Sequence, residues 1–125
     1  MSITKLRREE TVVMDQECLT KLYVEMGDVD AEEYLCNALE ELAVLIFGFQ
    51  RLYREKTLGE VSDSAREIAK YSAKVGMLSV EKVAYDVIEC LHGGDTPAMA
   101  ATIDRLVRVG DKSLLGVWDQ QDLSV

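Results

Sequence analysis

The sequence predicts an all-α protein: an up-and-down four-helix bundle with a short extra helix at its N-terminal end. Three observations carry that prediction. Apolar residues recur at three- and four-residue spacing through most of the chain, with none of the apolar–polar alternation that a half-buried strand needs. One Pro and eight Gly are all that interrupt 125 residues, and Pro97 lies where a helix can begin. Capping side chains and glycines bracket the periodic segments and leave short connections between them. The length suits one domain with its own core. The expected organisation is a flexible N-terminal segment (1–13), the bundle (14–116) and a C-terminal tail (117–125).

Residues 1–11, MSITKLRREET, are polar with mixed charge and make a loose lead-in. Asp15 caps a short first helix that runs to about Met26, with Leu19, Leu22, Tyr23 and Met26 on one face and Gly27 as its stop. Asp30 with Glu33 has the pattern of a capping box opening the longest helix. Its apolar positions include Leu35, Leu39, Leu42, Leu45, Ile46, Phe49 and Tyr53, and from Ala31 to Arg54 it would span roughly 36 Å. Thr57 and Glu60 offer another capping box. The helix that follows buries Val61, Ala65, Ile68, Ala69, Ser72 and Val75, and Gly76 stops it. Ser79 caps a fourth long segment with Val80, Val83, Ala84, Val87, Ile88 and Leu91 inward, ended by Gly93-Gly94. Thr96-Pro97 starts the last helix, which turns Met99, Ile103, Leu106 and Val107 to the core. Beyond Gly110 two courses stay open: the helix continues, or the chain packs back through Leu114, Leu115 and Trp118.

A formal net charge of −9 disfavours nucleic-acid or anionic-membrane binding over the whole surface, while leaving room for a local basic patch. Cys18, Cys36 and Cys90 form no C-x-x-C pair. With no apolar leader at the N-terminus, they are expected as reduced thiols of a cytoplasmic protein, packed as small hydrophobes. LAVLIFGF (42–49) falls far short of the ~20 residues of a membrane span. The acidic stretches DVDAEEY (28–34) and ALEEL (38–42) are solvated faces, and the first lacks the length and Gly of a calcium loop. His92 is the single histidine. Glu89-x-x-His92 matches half of a di-iron bundle motif, which requires a second such pair and two more glutamates. No metal or other cofactor is therefore expected, and His92 is expected to complement a helix C-terminus. No glycine-rich phosphate loop or acyl-transfer triad is present, and no enzyme activity is expected.

From about Met14 to Val109, the order, lengths and loop positions of these segments resemble a histidine-containing phosphotransfer domain. That family is the bundle that relays phosphate between receiver domains in two-component signalling. MDQECLTKLYVEMGD (14–28) is similar to its opening helix and YLCNALEELAVLIFGFQRLY (34–53) to its long second helix. VSDSAREIAKYSAKVG (61–76) sits where the phospho-accepting helix belongs, and VGMLSVEKVAYDVIECLHGGD (75–95) has the family's Gly and terminal Gly-Asp. The departure lies at the chemistry. The family's third helix reads roughly Ala-His-x-Leu-Lys-Gly. Aligned through Val75-Gly76, this chain has Ala65-Arg66-Glu67-Ile68-Ala69-Lys70, with Arg66 in the histidine's place. A guanidinium stays protonated and has no neutral nitrogen to attack an aspartyl phosphate. The resemblance thus implies a cytoplasmic, bacterial phosphorelay component that has kept the fold and a receiver-domain or histidine-kinase partner, but not the phosphotransfer.

At 100° per residue, Arg66 points about 120° from the centre of the buried stripe and Lys70 about 160°, with Lys74 one turn on. Two readings of this basic row stay open: a solvated face, with Glu67 paired weakly to Lys70 or Lys74, or a row that docks on a carboxylate-rich partner surface. The alternative to a degenerate phosphotransfer domain is a plain helical interaction module akin to phosphorelays by fold alone, with a homodimer as one of the forms it can take.

Overall fold

A computed structural model of the protein describes residues 12–94 and 96–123, with side chains described as far as Val117. Among the described residues the chain is all-helical, with six helices and a single isolated bridge between Met14 and Met77. The helices are α1 (Gln16–Met26), α2 (Asp28–Phe47), α3 (Phe49–Glu55), α4 (Leu58–Lys74), α5 (Leu78–Gly93) and α6 (Thr96–Leu123). None of them is long and apolar enough to cross a membrane.

Local chemistry sets several of the boundaries. Asp15 caps α1 by accepting from the Glu17 and Cys18 N–H groups at 3.1 and 3.3 Å. Thr57 Oγ1 accepts from the Glu60 N–H at 3.2 Å at the head of α4. Other boundaries differ from the expected ones. No side chain caps α2, which begins at Asp28 directly after Gly27, so Asp30 lies in its first turn instead of closing a capping box. The expected single long helix is two, meeting at Gly48. Bonds from Gly48 N–H to Val44 O (3.1 Å) and from Leu52 N–H to Gly48 O (3.0 Å) keep them running end to end. Ser79 does not cap α5. That helix starts at Leu78 behind Met77, and the Ser79 hydroxyl accepts from the Val13 N–H at 2.7 Å.

That bond belongs to a small clasp. The Asp15 N–H donates to Gly76 O at 2.7 Å, and the Ser79 N–H to Val13 O at 3.4 Å. Residues 13–15 are thereby tied to the turn between α4 and α5. Gly76 turns there at φ +78°, and a Cβ on it would come within 2.6 Å of Asp15 O. Both facts require glycine. Residues 1–11, most of the expected flexible segment, lie outside the described residues.

Helix α6 continues straight through Gly110, and Leu114 and Val117 are buried on it while Leu115 is exposed. Val117, the first residue of the expected tail, is thus part of the core; the side chains of Trp118 and beyond lie outside the described ones. Gly110 is where α6 passes α2: a Cβ there would meet Ile46 Cγ2 at 2.8 Å. Helices α2 and α3 both pack against α4 and α6. The most extensive contact is that of α4 with α5, followed by α5 with α6, and α1 lies on α2. Leu39, Leu42, Ile46, Phe49, Ile68, Val83, Val87 and Ile103 are all buried in one cluster, and Ser72 is buried beside them.

Phe49 is fully buried at the start of α3. Phe49→Ala should destabilise the fold by ~3–5 kcal/mol in urea unfolding. A loss under about 1 kcal/mol would mean that this helix presents a different face to the core.

Candidate functional site

Burial of Val61, Ala65, Ile68, Ala69 and Ser72 uses one side of α4 and leaves Asp63, Arg66, Glu67, Lys70 and Lys74 on the outside. The predicted row is therefore brought together along one exposed helix face, with Arg66 at mid-helix. The side chains of Arg66 and Lys70 are 53% and 54% exposed, so neither is covered by α1, α5 or the C-terminal part of α6.

Arg66 and Lys70 are held locally. Arg66 Nη1 donates to Ser62 Oγ at 2.7 Å and lies 3.9 Å from Asp63 Oδ1. Lys70 Nζ is 4.0 Å from Glu67 Oε2 and 5.4 Å from the centre of the Tyr71 ring. Lys74 is exposed in the last turn of α4, where the cation also favours the helix C-terminus. Behind it, the Cys18 thiol donates to the Lys74 carbonyl at 3.3 Å. Burial, and then the nearby Asp15 carboxylate, push the Cys18 thiol above its ordinary pKa, so it is a poor source of thiolate.

Three cations and two carboxylates leave this face one net positive charge, less than the bare row of Arg66, Lys70 and Lys74 suggests. Exposed pairs at 3.9–4.0 Å are weak. The Ser62 bond holds the guanidinium in place without occupying it, because it uses one N–H of a five-donor fork. Such a group can take a carboxylate with two parallel bonds. Protonated, it has no lone pair of the imidazole kind with which to attack an aspartyl phosphate.

The other singled-out residues lie apart from this face. His92 is exposed in the last turn of α5, as a residue complementing a helix end should be. Glu89 is exposed too, so the half-motif for di-iron does not point into the protein. Among the described residues no three His, Cys, Asp or Glu side chains are grouped to hold a metal ion. Cys36, expected as a small buried hydrophobe, is exposed, because its position falls on the outer side of α2. Two features escaped the sequence reading: Ser62 as the anchor of Arg66, and the exposure of Val44 and Phe47 on α2. Their spacing from the buried Leu42, Ile46 and Phe49 was enough to place both outward.

No family model, no curated protein and no solved structure matches the chain.

If Arg66 serves the surface and not the fold, Arg66→Ala should change stability by less than ~1 kcal/mol in urea unfolding, the usual scale for an exposed pair. A loss above about 2 kcal/mol would make it a structural residue.

Proposed function

We propose that α2–α3, α4, α5 and α6 form an up-and-down four-helix bundle of the phosphotransfer type, with α1 as the short extra helix. In this reading the protein is a non-catalytic module of a two-component pathway. It binds a receiver domain or a histidine kinase through Arg66, Lys70 and Lys74 and transfers no phosphate.

The observation that carries the proposal is the position and state of Arg66. It stands mid-way along α4, where the resembled family has its histidine, and it is exposed, cationic and braced by Ser62. A receiver domain's phosphorylation pocket is built from carboxylates, which a braced guanidinium complements. A histidine kinase would meet the same face. The packing order supports the bundle: α2 and α3 touch α4 and α6, and α5 touches the same two.

A second reading has its own observation. Val44 and Phe47 are exposed on α2, a feature expected of a plain helical interaction module and not required for receiver docking.

Two outcomes test the leading reading. Incubation with a phosphorylated receiver should leave no acid-labile phosphate on the chain; phosphate on His92 would overturn it. In titration calorimetry against the receiver domains of the source proteome, one should bind, and Arg66→Glu should weaken it by about tenfold or more. The effect should shrink as salt rises, since the face is exposed. No binding by any receiver, or unchanged binding by the variant, would pass the function to the second reading.

A further inference from the structure

The outer face of α2–α3 carries an ordered series that its burial pattern does not explain. Glu33, Asn37, Glu40, Val44, Phe47, Arg51 and Arg54 are all exposed, and they follow one another at intervals of four and three residues. That spacing keeps them on one side of the helix, opposite the buried Leu35, Leu39, Leu42, Ile46 and Phe49. The series is acidic at one end, apolar in the middle and basic at the other. Val44 is 70% exposed and Phe47 54%, so the middle is a real apolar surface.

We propose that this face is a homodimer interface, in which α2–α3 of two copies pack antiparallel about a two-fold axis between Val44 and Phe47. The order of the series is what selects a second copy as the occupant. A two-fold at that point sets Val44 of one copy against Phe47 of the other, Glu40 against Arg51, and Asn37 against Arg54. Reversal of the helix turns its acidic end onto a basic one, so the face is complementary to itself, as an isologous contact must be. Arg51 is held only by an exposed pair with Glu55 at 3.3 Å, one helical turn along, and can share its fork with an incoming carboxylate. The local charge pairs matter because each copy carries a formal −9 and would otherwise repel the other. No residue of this interface lies on α4, so the dimer leaves the Arg66 face open and stands independently of receiver binding.

Sedimentation equilibrium of the full chain tests this. The wild type should form a species of twice the 14.0 kDa chain mass at micromolar concentration. Glu40→Arg places like charges together at both symmetry-related pairs and should weaken the dimer about tenfold or more. Combining it with Arg51→Glu should restore association to near the wild-type level, which general destabilisation could not do. Phe47→Glu, whose site is outside the core, should give a folded monomer by circular dichroism. A wild type that sediments as a monomer up to millimolar concentration overturns the proposal. So does a dimer indifferent to Glu40→Arg, or a double variant that fails to recover.

Discussion

The close passage of α6 over α2 at Gly110 and Ile46 is the constraint on which the packing depends. With no side chain at Gly110, Ile46 rests against the α6 backbone, and residues far apart in sequence are held together. Leu42, Ile46 and Phe49 share one buried cluster with Ile68 of α4, Val83 and Val87 of α5, and Ile103 and Leu106 of α6. Burial of this cluster is the dominant favourable term. It also determines the surface. Once α4 has turned Ala65, Ile68, Ala69 and Ser72 inward, Arg66, Lys70 and Lys74 can only face out.

A second constraint acts at the C-terminal end of α4. The clasp from Val13–Asp15 to Gly76–Ser79 fixes α1 against the α4–α5 turn, and the Cys18 thiol adds a bond to the Lys74 carbonyl. The basic face thus lies on a helix anchored along its inner side and at its C-terminal end. Rigid support of this kind spares a docking surface the entropy of ordering on contact. The core is not optimal throughout. The hydroxyls of Ser72 and Ser113 are buried without a partner, each at a cost of about 1–3 kcal/mol. Both serines lie on the inner sides of α4 and α6, where hydrophobic residues would ordinarily sit.

What was legible in the sequence was what local chemistry decides. Asp15 caps as read and Thr57 supplies its own half of the capping box, because an N-cap needs only the next few amides. The inward and outward sides of α4 and α5 followed from helical spacing alone. Two features turned on a partner distant in sequence. Ser79 has the composition of a cap, but its hydroxyl is taken by Val13, 66 residues away. Gly110 has the composition of a helix stop, yet it serves the approach of Ile46. In the run LAVLIFGF hydropathy alone does not mark Val44 and Phe47 as surface, although their spacing from Leu42, Ile46 and Phe49 does. At the site, the outward direction of Arg66 and its neighbour Asp63 were readable from angle and spacing; the bond to Ser62 depended on a rotamer and was not.

The central claim is that the outer face of α4 is where a partner docks. The most direct measurement is amide chemical-shift mapping of the isotope-labelled chain during titration with a cognate receiver domain. The account predicts that perturbations centre on Ser62, Arg66, Lys70 and Lys74 and leave Glu40 to Arg51 unmoved. Perturbations confined to α2–α3, or absent at a saturating receiver concentration, would contradict it.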